Sequence, residues 1–141
     1  VYFETTIRPL IDGDQVEMIG EISDAEKPGF LSGARALLLP IDWPEPFGLV
    51  MIEAMACGLP CVATRVGGNA EAIEEGSSGF LVPSEDHEAL ADRLLRLLRN
   101  PRMAHRMGDA GREAAHLRFG MDVMISRLMN IYDELLEGKL A

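Results

Sequence analysis

The sequence ALLLPIDWPEPFGLVMIEAMACG, residues 36–58, contains a strand, a loop and a helix in direct succession. The apolar run Ala36–Leu39 predicts a buried strand. The segment Leu49–Cys57 has good helix formers and no internal Pro or Gly, and Gly58 follows where a helix C-terminus favours glycine. Because open α/β sheets bind ligands at the carboxyl ends of their strands, the connecting loop 41–47 is the predicted ligand site.

Glu53 is the one charged residue in the predicted helix. It shares a stripe with Leu49, Ile52 and Ala56 at helical spacings, and its other neighbours are apolar, so we expect the helix to be covered on most sides. A carboxylate on a covered helix is costly unless a partner bonds to it. Two interpretations stay open: Glu53 caps a backbone group or pairs with an arginine, or it accepts hydrogen bonds from the hydroxyl groups of a ligand.

The loop before this helix carries Glu45, which by itself is an ordinary solvated carboxylate. The amides of Phe47, Gly48 and Leu49 lie at the predicted helix start, where backbone N–H groups have no partner within the helix. Such amides suit a phosphate or another polar oxygen. The loop and the helix start are therefore the predicted binding elements.

This stretch also resembles the signature of retaining family-4 glycosyltransferases of the GT-B fold. Residues Glu45–Ala54, EPFGLVMIEA, have the form E-x7-E. Two glutamates at this spacing mean little alone, but the whole string, with FG after the first Glu and EAMACG-x-P around the second, is specific. The similarity continues through Gly67–Glu71 and Gly79–Val82 and covers most of the chain.

The resemblance implies the donor-binding half of a two-domain enzyme, with the active site in the cleft between the halves. It implies that Glu45 is the catalytic residue, which faces the donor sugar and stabilises developing positive charge. Phe47, Gly48 and Leu49 would contact sugar hydroxyls and phosphate, and Glu53 would bind the ribose. The implied substrate is a nucleoside-diphosphate sugar, with no metal ion and no other cofactor, and with stabilisation of the leaving diphosphate.

That stabilisation is expected from outside this chain. The family uses an arginine and a lysine on the diphosphate, and both precede the region seen here, since Arg8, Arg35 and Arg65 do not match their positions. The start VYFETTIRPL has no Met and no signal-peptide layout. We expect residues 1–141 to be an N-terminally truncated, C-terminal nucleotide-sugar-binding domain, inactive without the N-terminal acceptor domain of the same parent chain.

Two other function classes remain. One is a non-catalytic binding or assembly module with the same fold, and the other is a different GT-B enzyme, such as a nucleotide-sugar epimerase or a phosphorylase. The E-x7-E string disfavours both of these enzymes. A phosphorylase would also need a pyridoxal phosphate lysine, and Lys27 and Lys139 are the only lysines.

Charge and cysteine usage narrow the class of protein. The net charge of −10 and the pI of about 4.7 argue against nucleic acid and against an anionic membrane surface as partners. No segment reaches the 18 apolar residues of a membrane span. Cys57 and Cys61 are too few for a zinc site and are predicted to be small core residues in a reducing compartment, hence a cytoplasmic protein.

Pro60–Thr64 is the next predicted buried strand, and Gly67 and Gly68 follow it. Adjacent glycines allow a ligand to approach the backbone closely or simply form a tight turn, and the family context favours ligand approach. A short helix over 70–75 and a strand over Gly79–Pro83 complete this part of the chain.

The remaining chain is predicted to be mostly helical. Further elements are a short strand at Val16–Ile19, a helix from Pro28 to about Ala34, a helix capped by Ser84 or Asp86 that ends near Asn100, a helix from Pro101 to about Leu117, and a helix from Met121 to Leu136 with an apolar core stripe of Met121, Met124, Ile125, Leu128, Ile131, Tyr132 and Leu135. His87, His105 and His116 are predicted surface residues. Strands that alternate with helices predict an α/β fold, a Rossmann-like parallel sheet flanked by helices, with a helical C-terminus.

Overall fold

The protein is described by a computed structural model that covers residues 1–138. Its sheet has three parallel strands in the order β1-β2-β3, which are Leu37–Leu39, Cys61–Thr64 and Gly79–Val82. Leu38 pairs with Val62, and Val62 pairs with Phe80. The three strands around the candidate site are those that the sequence predicts.

Six α-helices follow two short N-terminal turns, a π-helical turn at Phe3–Ile7 and a 3-10 turn at Arg8–Leu10. They are α1 Lys27–Gly33, α2 Leu49–Ala56, α3 Asn69–Ala72, α4 His87–Arg99, α5 Pro101–Phe119 and α6 Met121–Leu136. Side chains cap two of them, at Asp86 as the sequence predicts and at Asn100, which was predicted only as the end of the preceding helix. Asp86 accepts a hydrogen bond from Ala89 N at 2.8 Å, and Asn100 accepts one from Met103 N at 3.0 Å.

Apolar side chains cover both faces of the sheet. One cluster joins α2 and α5 to the sheet and includes Met51, Met55, Cys61, Ala63, Leu81 and Ala115. The other joins α4 and α5 to it and includes Val62, Phe80, Val82, Leu97 and Met107. Consecutive β2 residues enter different clusters because side chains alternate along a strand, so all of β2 is buried.

The edge strand and the helix after it are less covered than predicted. Leu38 in β1 is 38% exposed because the described elements cover one face of this strand. In α2, Leu49 is 67% and Val50 is 41% exposed, and Met51 is among the few buried residues of this helix. The prediction of a helix covered on most sides was therefore wrong, since α2 buries a single face.

Two element predictions were also wrong. Val16–Ile19 forms no strand, since no neighbouring strand within residues 1–138 pairs with it. The helix expected over 70–75 is a single turn that ends at Ala72 because Ile73 is extended, with φ −88° and ψ 126°. Glu75 instead forms an isolated parallel bridge to Gly79.

The last helix, α6, has the predicted bounds but not the predicted burial. None of its residues is buried, and Met124, Leu128 and Ile131 are 53%, 46% and 49% exposed. The sequence correctly indicates an amphipathic helix. Its apolar face is not part of the hydrophobic core in this structure, because α6 packs mainly against the end of α5.

Candidate functional site

Two loops meet at the carboxyl end of the sheet. The first follows β1 and contains Glu45, and the second follows β2 and contains Gly67 and Gly68. Thr64 Oγ1, at the end of β2, donates a hydrogen bond to the backbone oxygen of Ile41 in the first loop. Gly68 N donates a second hydrogen bond to Glu45 O at 2.8 Å. The predicted ligand loop is thus held by the next strand and its loop.

The Glu45 carboxylate is half-buried and oriented by its own loop. Its Oε1 accepts a hydrogen bond from Gly48 N at 3.3 Å. Its Oε2 accepts one from the indole nitrogen of Trp43 at 3.2 Å. Both oxygens therefore have a defined direction, which a solvated loop carboxylate would lack.

Gly48 makes the sharp entry into α2 at this point. Its backbone is left-handed, with φ +70° and ψ 60°, which disfavours any residue with a Cβ. No side chain at this N-cap position covers the first-turn amides of α2. Next to it, the Phe47 ring packs edge-on against Phe119 of α5, with ring centroids 5.4 Å apart. The half-buried Glu45 and the exposed Phe47 and Leu49 thus lie around a buried Gly48 at the helix start.

The two glycines of the second loop are required by close backbone contact. A Cβ on Gly67 would lie 2.0 Å from Glu45 O, and one on Gly68 would lie 2.5 Å from Pro46 O. Gly67 also has φ +47°. The close approach that the glycines permit is therefore that of the chain's own loop, and ligand approach at this position stays a prediction.

Glu53 lies on a partly exposed face of α2 and has a partner within the chain. Lys27 Nζ, from α1, lies 3.1 Å from Glu53 Oε1 and 2.9 Å from Asp24. The two carboxylates, Asp24 first, raise the pKa of Lys27. This pairing matches the first interpretation of Glu53, with a lysine in place of the expected arginine. Whether Glu53 also accepts ligand hydroxyls stays a prediction.

Asn69 is a candidate site residue that the sequence did not single out. It is the first residue of α3, has no exposed surface, and its Nδ2 donates a hydrogen bond to Thr64 O at 3.0 Å. Its Oδ1 is the one buried side-chain polar atom in the described residues 1–138 that has no hydrogen-bond partner. The available signal was a polar residue directly after two glycines in the loop that follows a predicted strand.

A cleft of about 340 Å³ lies at the same edge of the sheet. Its lining includes Thr64 and Pro83, at the ends of β2 and β3, together with Asp42, Glu85 and Asp86. Three carboxylates disfavour a diphosphate in this cleft. The uncapped start of α2 is the more favourable place for a phosphate group.

The other residues considered from the sequence lie elsewhere. Arg65 contacts Glu75 at 3.8 Å, and Arg8 contacts Glu4 at 3.3 Å. Arg35 lines a separate cavity at the amino end of the strands. The three histidines are exposed, as predicted. Within residues 1–138, no group of three or more His, Cys, Asp or Glu side chains is arranged to hold a metal ion, and no helix is long and apolar enough to cross a membrane.

Comparison with known proteins matches most of the chain to one family. Residues 3–114 match the family model for glycosyl transferases group 1. N-acetyl-alpha-D-glucosaminyl L-malate synthase of Bacillus anthracis is 39% identical over 100 residues, which are 71% of this chain and 26% of that protein.

Two solved structures share the fold. Sucrose-phosphate synthase from Thermosynechococcus elongatus superposes with a TM-score of 0.86 at 34% identity, over 97% of this chain and 34% of that one. Anabaena HepE, solved in complex with UDP-glucose, gives a TM-score of 0.81 at 26% identity, over 91% of this chain and 35% of that one. The chain therefore spans about a quarter to a third of the length of the proteins that it matches.

Proposed function

This chain belongs to the family of glycosyl transferases group 1, and we propose that it is the donor-binding part of an enzyme that transfers a sugar from a nucleoside-diphosphate sugar to an acceptor. Its parallel sheet, flanking helices and helical C-terminus match GT-B glycosyltransferase structures. Retention of configuration at the anomeric carbon, and membership of family 4, belong to the proposal and are supported by the E-x7-E string.

One observation carries the proposal, namely the oriented carboxylate beside an uncapped helix start. Glu45 is fixed by Trp43 and Gly48 at the carboxyl end of β1, where open α/β sheets bind ligands. A carboxylate held in this way accepts hydrogen bonds from sugar hydroxyls and stabilises positive charge that develops at the anomeric carbon. The neighbouring α2 amides and helix dipole favour the negative phosphate oxygens.

Glu53 fits the nucleotide end of the same ligand in this proposal. Glu45 precedes α2 and Glu53 is its fifth residue, and in this proposal the ligand runs along the start of α2 from one carboxylate to the other. Lys27 contacts Oε1 of Glu53 at 3.1 Å. Lys27 thus orients the carboxylate, and Oε2 is the oxygen that we assign to a ribose hydroxyl.

The rest of the reaction is assigned to the parent protein. The proposal places the acceptor and the cations that stabilise the leaving diphosphate in a domain outside this chain, in line with the greater length of the relatives. In this scheme the isolated chain binds the donor without turnover, and no metal ion takes part. Cys57 and Cys61 are unbridged, which supports the proposed cytoplasmic location.

An NMR titration of the chain with UDP, UDP-glucose, GDP and ADP tests the proposal. We expect amide shifts confined to residues 45–53 and 64–70, with one base preferred. Glu53→Gln should weaken binding of the nucleoside diphosphate alone, whereas Glu45→Gln should weaken mainly the binding of the sugar-bearing ligand. Glu134→Gln, on the exposed face of α6, is the matched control. Shifts that lie elsewhere, or that persist in both site variants, would contradict the assignment.

A further inference from the structure

Asn69 has a buried oxygen without a donor, beside the candidate site. Its Nδ2 bonds to Thr64 O at 3.0 Å, which fixes the orientation of the amide, because the reversed amide would place two oxygens together. Within residues 1–138, no donor reaches its Oδ1. A buried acceptor left in this state is costly, and native structures rarely keep one without a reason.

Gly48 packs against this oxygen. A Cβ built on Gly48 would lie 3.2 Å from Asn69 Oδ1, so this oxygen lies on the side of the Gly48 Cα where a side chain would be. The Gly48 amide donates to Glu45 Oε1 over 3.3 Å, which is longer than the usual 2.7–3.2 Å for such a bond. The oxygen that lacks a donor therefore lies against the same residue whose amide is held by this long hydrogen bond.

We propose that Asn69 is a positioning residue whose Oδ1 takes the hydrogen bond of the Gly48 amide when Glu45 engages a ligand. The exchange keeps the Gly48 amide bonded, gives the buried oxygen its missing donor and frees Glu45 Oε1 for the ligand. No covalent step is involved. The ligand part of this inference rests on the proposed function, in which a nucleoside-diphosphate sugar contacts Glu45.

The surrounding contacts make the exchange a local movement. The hydrogen bond from Gly68 N to Glu45 O, at 2.8 Å, anchors the two loops to each other. The bond from Asn69 to Thr64 anchors the side chain to the end of β2. Gly48 has no side chain and already has φ +70°, so rotation of its amide meets a smaller steric barrier than at any other residue type.

Hydrogen–deuterium exchange of the Gly48 amide tests the proposed change of hydrogen-bond acceptor without any ligand. In Glu45→Ala the amide should keep its protection to within about twofold, because Asn69 accepts it. In the double variant Glu45→Ala/Asn69→Ala both acceptors are gone, and exchange should become roughly tenfold faster. The core amide of Val62 reports global stability and normalises the comparison.

A rescue variant separates this role from a purely structural one. Glu45→Ala/Asn69→Asp keeps an acceptor oxygen and loses the donor to Thr64, so it should restore the protection of the Gly48 amide even if it is less stable overall. The inference is overturned if Glu45→Ala alone exchanges as fast as the double alanine variant, or if aspartate restores no protection.

UDP-glucose is the probe for the part of the proposal that involves a ligand at Glu45. In the wild-type chain, UDP-glucose should move the Gly48 amide resonance in the direction that Glu45→Ala moves it. In Asn69→Ala that movement should be absent, while resonances around Glu53 still shift. Equal movement of Gly48 in both chains overturns the inference. If UDP-glucose shifts nothing in the wild-type chain, the proposed function fails, and the exchange measurement still decides the role of Asn69.

Discussion

Replacement of Gly68 by alanine is expected to separate the two loops of the candidate site. A Cβ at this position would lie 2.5 Å from Pro46 O and 2.9 Å from Phe47 Cα. Both are backbone atoms and cannot rotate away. Since Gly68 has φ −67° and ψ −11°, alanine fits its backbone conformation, and the clash is the only perturbation.

The size of the effect follows from these distances. To restore an ordinary contact of at least 3.4 Å, the loops must move apart by about 1 Å. The bond from Gly68 N to Glu45 O, now 2.8 Å, would then exceed hydrogen-bonding range. A lost hydrogen bond costs about 1 kcal/mol, and overpacking a further ~1–3 kcal/mol. We expect the midpoint of thermal unfolding to fall by on the order of 10 °C.

Thermal unfolding followed by circular dichroism measures this loss, and a UDP-glucose titration measures the effect on the site. The matched control is Gly29→Ala in α1, where an added Cβ meets nothing within 4 Å. That variant should be unchanged or more stable by up to about 1 kcal/mol, because alanine favours the helix. A Gly68→Ala chain with the wild-type melting midpoint and unchanged binding would refute the contact between the loops.

Three further predictions concern the core and the ion pair. Burial raises the pKa of the Cys61 thiol from 9.0 to about 12, so between these values the folded chain holds a proton that the unfolded chain loses. The free energy of unfolding should therefore fall as pH rises from 9 to 12, by at most about 4 kcal/mol. Urea titrations at pH 8.5 and 11 measure this fall, and Cys61→Ala should remove the part that the thiol causes. Met55→Ala, at a fully buried position, should lower the free energy of unfolding by about 2–5 kcal/mol. The control Met129→Ala, at a 53% exposed position, should lower it by less than about 0.5 kcal/mol in the same assay. Equal losses in the two variants would contradict the packing of α2. Lys27→Met should change the free energy of unfolding by less than about 1 kcal/mol, because the side chains of Lys27 and Glu53 are 35% and 40% exposed. The Lys27→Met chain should also retain most of the nucleotide affinity that Glu53→Gln loses in calorimetric titrations. Equal losses of affinity in the two variants would show that binding needs the ion pair itself.

Much of the fold was predictable because it depends on local sequence. The bounds of α6, Met121–Leu136, follow from its periodicity and its flanking glycine. The caps Asp86 and Asn100 fix the starts of α4 and α5 through hydrogen bonds to amides three residues away. The strand, loop and helix around Glu45 were likewise predicted, since turn residues and apolar runs act over a few positions.

Burial was predicted less well because it depends on neighbours that are distant in the chain. The apolar stripe of α6 predicted core packing, but the described elements leave Met124, Leu128 and Ile131 about half-exposed. The same pattern is compatible with a buried helix and with an exposed one, since periodicity records which residues share a face and not what lies opposite.

The sequence by itself determined the family, the order of the elements and the place of Glu45 and Gly48 between a strand and a helix. The tertiary structure decided which groups hold them. Lys27 reaches Glu53 across 26 positions of sequence, and Asn69 packs against Gly48 only because β1 and β2 are adjacent and parallel. The physical reason is that backbone conformation responds to nearby residues, whereas hydrogen bonds and ion pairs between loops exist only after the sheet has brought those loops together.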